Sequence, residues 1–166
     1  MPNITTCLWF DKEAEEAANF YVRLFSEGGR SAKISKVARY GEAGAKASGQ
    51  PKDTVMVVEF ELDGNAFLGL NGGPHFKFTP AVSFIVYCKK QAEIDYFWQG
   101  LGEGGKEGQC GWIERDKFGV SWQIVPTLLG ELMKDPDKSK SERAMKALFT
   151  MKKLDIETLK RAAEQG

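Results

Sequence analysis

The same order of elements, a strand, then a helix, then further strands, occurs twice along this chain of 166 residues. The first cycle starts with a strand over residues 4–10 and a helix from about Lys12, and the second with a strand over 81–88 and a helix over 91–101. A spacing of roughly 75 residues is longer than a solenoid repeat and indicates two duplicated supersecondary modules. The order therefore constrains the fold to two similar units.

A β-hairpin is predicted around Asp63-Gly64, which lies between strand-like segments at residues 55–62 and 65–70. This dipeptide tolerates the positive φ angles of a tight type I′ turn. A strand is also predicted over residues 33–40. The segment after it, residues 41–53, is rich in Gly, Ala, Ser and Lys and predicts a mobile loop.

Both predicted helices carry an apolar face at helical spacing. In the first helix, which Gly28-Gly29 ends, these residues are Ala14, Ala17, Ala18, Tyr21, Leu24 and Phe25. In the second they are Ile94, Phe97, Trp98 and Leu101. Both helices are therefore expected to pack against a sheet.

The chain after the second helix begins with a Gly-rich segment that ends at Gly111 and predicts a flexible connector. Strands over 111–115 and 120–125 follow. Helices are predicted over 128–134 and 138–151, and a last helix is capped by Asp155, with Leu159 and Ala162 on its apolar side. This tail is expected to pack on the outside of a sheet.

The composition excludes several classes of partner. Lys plus Arg equals Asp plus Glu at 23 each, so no overall field attracts nucleic acid or a membrane surface. The three cysteines are widely spaced, which fits neither a disulfide framework nor a paired zinc site. No segment approaches the roughly 20 apolar residues of a membrane span, and the N-terminus lacks the pattern of a signal peptide. We expect a cytoplasmic protein of one domain over residues 1–166.

Three segments carry a resemblance to a known family: AANFYVRLF at residues 17–25, FLGLNGGPHFKFTPAVSFIVYC at 67–88, and CGWIERDKFGVSWQIVP at 110–126. They resemble the PhnB-like branch, also called 3-demethylubiquinone 3-methyltransferase-like, of the vicinal oxygen chelate superfamily. That superfamily includes glyoxalase I, bleomycin-resistance proteins and extradiol dioxygenases. The resemblance extends into the tail segment RAMKALFTMKKLDIETLKRA at residues 143–162.

The resemblance implies an α+β fold of paired βαβββ modules with a C-terminal helical tail. Module one is expected at about 1–74, module two at about 81–126, and the tail at 127–166. The resemblance also implies a homodimer in which modules from two chains can combine to close each ligand cup. The methyltransferase label is an inherited name and implies no activity by itself.

Members of the superfamily hold a divalent metal ion through His, Gln or Glu on four strands. The matching positions here fall near Thr5 or Thr6, near Gly69, at Ser83 and at Gln123. Only Gln123 is a plausible neutral donor, and one amide with weak hydroxyl help does not hold a divalent ion against water. We therefore expect no metal and no other cofactor, which disfavours a metal-dependent lyase or dioxygenase.

Strand alternation places Ser83 with Ile85 and Tyr87 on one face of their strand, and Ser121 with Gln123 and Val125 on one face of theirs. If these faces line the cup, their polar groups point at a small-molecule ligand among aromatic walls. The residues expected to bind it are Ser83, Gln123, Asn71, Phe76, Phe78, Trp112 and Tyr87. In the other interpretation, Gln123 and Ser83 bond each other or the backbone inside a filled core.

The leading hypothesis is therefore a dimeric protein with a metal-free cup for a small apolar or aromatic molecule. One alternative is an enzyme, a lyase, isomerase or methyltransferase, that uses Gln123 with His75, the single histidine. His75 is also interpreted as a surface residue without chemical role. A further alternative is sequestration of a toxic compound, as in bleomycin-resistance relatives. The Gly-rich segment follows a helix, so it does not predict a phosphate or S-adenosylmethionine site.

Overall fold

The computed structural model describes residues 4–165 and divides the chain into a first unit that ends at Phe78 and a second that begins at Thr79. The elements of the first unit are β1 (Thr6–Phe10), α1 (Ala14–Glu27), β2 (Ala32–Arg39), α2 (Glu42–Ser48), β3 (Val55–Leu62) and β4 (Asn65–Asn71). Those of the second are β5 (Phe84–Cys88), α3 (Gln91–Gly102), β6 (Lys106–Glu107), β7 (Trp112–Arg115), β8 (Trp122–Pro126), α4 (Thr127–Met133), α5 (Lys138–Leu148) and α6 (Ile156–Glu164).

The two units contain four-stranded sheets of the same topology. The strand order is β1-β4-β3-β2 in the first sheet and β5-β8-β7-β6 in the second. In each, the first strand of the module pairs in parallel with the last, and the remaining pairs are antiparallel. The expected α+β fold of two βαβββ modules with a helical tail is confirmed.

Helix α1 covers one face of the first sheet. All the residues predicted for its apolar face are buried, and the Tyr21 ring stacks on that of Phe60 in β3, with ring centroids 6.3 Å apart. A Cβ atom added at Gly69 would lie 3.3 Å from the Ala14 Cβ, so the helix and β4 approach closely here. The other face, which we call the first open face, carries Cys7, Trp9, Val57, Glu59, Leu68 and Leu70.

The hairpin of the first unit is confirmed, because Asp63 and Gly64 have φ angles of 47° and 77°, as a type I′ turn requires. The loop predicted for residues 41–53 is wrong for residues 42–48, which form α2. Its alternating alanines have a high helix propensity that outweighs Gly44. Gly49, at φ 72°, ends the helix and donates its N–H to the Ala45 carbonyl.

Helix α3 covers one face of the second sheet, and its predicted apolar residues are all buried. The preceding strand, β5, begins at Phe84 rather than residue 81, because its partner β8 begins at Trp122, which pairs with Phe84. The segment expected to be a flexible connector contains β6, which pairs with β7. A Cβ atom at Gly105 would overlap the Arg115 carbonyl oxygen, so this glycine permits close backbone approach. The Trp98 indole N–H donates to Glu107 Oε1 at 2.8 Å.

Within the second unit, the C-terminal tail is attached to the βαβββ module by hydrogen bonds from separate parts of that module. The Gln91 side chain donates to the Leu154 carbonyl at 3.1 Å and accepts from the Ile156 N–H at 2.9 Å. The backbone N–H groups of Cys110 and Gly111 donate to the carbonyls of residues 151 and 152. The tail therefore forms part of the hydrogen bonding of the second module.

The helices of the tail differ slightly from the predicted ones. Helix α5 ends at Leu148, and the buried residue near the end of α6 is Ala163 rather than Ala162, because Ile156, Leu159 and Ala163 follow the helical spacing. Leu148, Leu154 and Leu159 form the apolar cluster that holds these helices together. Among the helices of residues 4–165, none is both long and apolar enough to cross a membrane.

Acid should weaken the attachment of the tail. Asp155 caps α6, and hydrogen bonds from Thr158 lower the pKa of its carboxyl below the usual value. The pKa of Asp95 is lowered as well, chiefly by its bond with Lys153. Because these pKa values are lower in the folded state, the stabilisation is present above the ordinary Asp pKa and is lost as pH falls through the lowered one. We expect hydrogen-exchange protection of α6 amides to decrease over that acidic range.

Asp155→Asn is the matched variant, since asparagine caps a helix about as well but does not titrate. At neutral pH its α6 protection should stay close to that of the parent protein, and its loss of protection in acid should be smaller. Equal acid sensitivity in both proteins would contradict a role for Asp155.

Candidate functional site

The face of the second sheet opposite α3 is partly exposed and mainly apolar. In the strand register, Gln123 of β8 pairs with Ile85 of β5 on one side and with Trp112 of β7 on the other. These side chains therefore form a row across three strands. Tyr87 and Val125 form the next row. Ile85 is 45% and Tyr87 56% exposed, high values for residues of a sheet. We call this surface, together with Ser83 at its edge, the second open face.

A side-chain hydrogen bond crosses the second open face. Gln123 Nε2 donates to Ser83 Oγ at 2.9 Å, which orients the amide. Between residues 4 and 165, no group donates a hydrogen bond to Gln123 Oε1. The Gln123–Ser83 bond that the filled-core interpretation expected therefore exists. It lies on a half-buried surface, however, and leaves Gln123 Oε1 there as an oriented acceptor.

Four of the predicted site residues, Ser83, Gln123, Trp112 and Tyr87, share this surface of the second unit. The other three belong to the packing of the first unit. Phe76 is 64% exposed and lies edge-on to Trp9, with ring centroids 4.9 Å apart. Trp9 also donates its indole N–H to the Gly73 carbonyl. The Phe78 ring lies edge-on to that of Phe10, with ring centroids 5.2 Å apart.

Asn71 lies at the end of β4 on the α1 side of the sheet, not on the first open face. Its Oδ1 accepts from the Ala14 N–H at 2.8 Å, and its Nδ2 donates to the Val55 carbonyl at 3.0 Å. The side chain therefore ties the start of α1 to the start of β3. Asn71 is only 5% exposed and forms part of the floor of a cleft.

This cleft of the first unit has a volume of about 410 Å³. Its lining residues are Lys12, Glu15, Arg39, Gln50, Pro51, Thr54, Val55 and Asn71. Apart from Asn71, none of them was expected from the sequence. They come from the ends of separate elements, and no periodic pattern or short motif connects them.

The residues present do not fit the divalent ion of the vicinal oxygen chelate superfamily. In the first unit, Gly69 faces α1, and its neighbours on the first open face are Leu68 and Leu70, which have no donor atoms. Only one thiol, Cys7, and one carboxylate, Glu59, flank Leu68 on that face. At the matching positions of the second unit, Gln123 offers one amide and Ser83 one hydroxyl, and these two groups are bonded to each other. Such ions need several carboxylate or imidazole ligands. Within residues 4–165, no three His, Cys, Asp or Glu side chains form a group that could hold a metal.

The thiols and the histidine show no arrangement for nucleophilic catalysis. None of the three described cysteines forms a disulfide, and Cys88 is buried. Cys7 is exposed as a residue, yet partial burial of its thiol raises the pKa, which opposes thiolate formation. His75 is exposed, in line with its interpretation as a surface histidine.

Comparison with known proteins gives a consistent result. The sequence model of the 3-demethylubiquinone-9 3-methyltransferase family matches residues 2–125. A PhnB protein from Bacillus cereus with the same methyltransferase description is 34% identical, with a TM-score of 0.65, over 76% of this chain and 100% of its own. None of the curated proteins matches the chain.

More distant solved structures are also similar to this chain. A protein from Pseudomonas aeruginosa is 19% identical, with a TM-score of 0.55, over 76% of this chain and 98% of its own. A glyoxylase/bleomycin resistance protein/dioxygenase domain from Frankia sp. EAN1pec is 10% identical, with a TM-score of 0.47, over 76% of this chain and 92% of its own.

Proposed function

Because this chain belongs to the 3-demethylubiquinone-9 3-methyltransferase (PhnB-like) family, we propose that it is a cytoplasmic, metal-free binding protein for a small planar molecule. The ligand lies on the second open face. The protein acts as a homodimer, in which a second copy covers sheet surface that one chain leaves exposed.

The oriented amide of Gln123 is the observation that carries this proposal. A binding surface for small molecules combines apolar and aromatic contacts with a few polar groups that fix orientation. Trp112, Tyr87 and Ile85 supply the apolar contacts, and Gln123 Oε1 supplies one oriented acceptor. A ligand with a flat apolar body and one O–H or N–H donor matches this arrangement.

The test compares two probes that differ by one donor, 2-naphthol and naphthalene. The parent protein should bind 2-naphthol more tightly, because its hydroxyl donates to Gln123 Oε1. Gln123→Leu should weaken 2-naphthol binding by roughly fivefold to tenfold and remove the preference over naphthalene, the effect of one hydrogen bond. Isothermal titration calorimetry measures both affinities, and sedimentation of the same samples reports whether the binding species is a dimer.

Gln99→Leu is the control, because Gln99 is an exposed residue of α3, away from the second open face. It should leave both affinities unchanged. Unchanged affinity in Gln123→Leu would remove Gln123 from the site. Stoichiometric nickel, zinc, manganese or iron in protein purified without chelator would contradict the metal-free part of the proposal, and conversion of the bound molecule to a product would favour an enzyme.

A further inference from the structure

We propose that the cleft of the first unit is a separate site for a small aliphatic carboxylate. This inference does not depend on the second open face, since every residue that lines the cleft belongs to the first unit.

The floor of the cleft is held in place by hydrogen bonds. Both polar atoms of the Asn71 side chain are engaged, with Ala14 and Val55. The Tyr40 hydroxyl donates to the Asn71 carbonyl, and the Tyr40 backbone pairs with residues 53 and 54. These bonds join β4, β3 and the start of α1 at Asn71, so the floor of the cleft is held together in the absence of a ligand.

The rim carries two cations. Arg39 Nη1 donates to the Asp53 carbonyl at 3.1 Å, which holds the guanidinium in place through one of its five N–H donors. Lys12 lines the cleft from the connection between β1 and α1. Within the part of the chain that the structure describes, neither side chain forms an ion pair with a carboxylate.

The charge of the lining selects the class of ligand. The lining carries two cations, Lys12 and Arg39, and one carboxylate, Glu15, so the cleft has an excess of one positive charge. A monoanionic carboxylate neutralises this excess and matches the planar fork of the arginine. A dianionic phosphate would bring a second negative charge close to Glu15. Pro51 and Val55 give the wall an apolar part that suits a short hydrocarbon chain.

The experiment follows backbone amides by two-dimensional NMR while sodium butanoate is added. We expect saturable shifts at the amides of Thr54, Val55 and Asn71. Butan-1-ol, which has the same chain without the charge, and inorganic phosphate should both bind more weakly. Tighter binding of phosphate than of butanoate would overturn the carboxylate assignment, and the absence of saturable shifts with butanoate would overturn the site.

Arg39→Gln should raise the dissociation constant of butanoate at least about tenfold, because it removes a charged pair of donors. Lys12→Gln should also weaken binding. Lys36→Gln, on the same strand but outside the cleft, should change the dissociation constant less than about twofold. Unaltered affinity in Arg39→Gln would overturn the proposal. Gln123→Leu should leave butanoate binding intact, so a failure here is distinguishable from a failure on the second open face.

Discussion

Replacement of Asp116 by alanine should destabilise the second unit by about 3–5 kcal/mol. The Asp116 side chain is 2% exposed and ties together the turn between β7 and β8. Its Oδ1 accepts from the N–H groups of Phe118 and Val120 at 2.8 and 3.0 Å, and its Oδ2 accepts from the Trp122 indole N–H at 2.9 Å. Alanine leaves these donors without their acceptor. Urea denaturation followed by circular dichroism measures the loss.

Trp122→Phe isolates one of these bonds, because phenylalanine keeps an aromatic ring in the core and removes the N–H. In that background, Asp116→Ala should cost about 1–2 kcal/mol less than in the parent protein, since one fewer donor is left unsatisfied. Strictly additive costs would show that the carboxylate and the indole do not stabilise each other.

Gly111→Ala is expected to destabilise the second unit by about 2–4 kcal/mol. Gly111 has a φ angle of 82°, and a Cβ atom there would lie 2.8 Å from the Ile124 carbonyl oxygen and 3.0 Å from Leu154 Cδ1. Its N–H donates to the Lys152 carbonyl, and its own carbonyl accepts from the Ile124 N–H. The backbone is bonded on both sides and cannot move away from the added methyl group without loss of a hydrogen bond.

Gly130→Ala provides the comparison, because a Cβ atom at this position of α4 meets nothing within 4 Å. Alanine in the helix should raise stability by up to about 1 kcal/mol. Urea midpoints of the two variants should therefore move in opposite directions. A shift of the same sign and size in both would show that the space around Gly111 does not set its requirement for glycine.

The sequence was sufficient for those elements whose pattern is local. The apolar faces of α1 and α3 follow the helical period, and the hairpin follows from Asp63-Gly64, because each depends only on residues close in the chain. The short strand β6 was not predicted, since it depends on pairing with β7. The glycines around β6 indicated a flexible segment. Two of them, Gly105 and Gly111, instead lie close to the backbone of β7 and β8, a tertiary effect that periodicity does not report.

In the candidate site, too, only the residues that follow a local pattern could be predicted. Alternation along β8, together with the resemblance, was enough to expect Gln123 and Ser83 on one surface, where the structure places them in hydrogen bond contact. For Asn71 the sequence could not show that both its polar atoms bond to the backbone of α1 and β3. Lys12 and Arg39 meet at one cleft only because β1 and β2 belong to the same sheet, and no local signal marks them.

The tryptophans of this chain provide a built-in optical reporter. The indole N–H groups of Trp9, Trp98 and Trp122 donate to fixed partners within their own units, whereas Trp112 lies beside Gln123 on the second open face. An aromatic molecule that binds there would change the surroundings of Trp112. Occupancy of this surface can therefore be followed by intrinsic fluorescence without any added label.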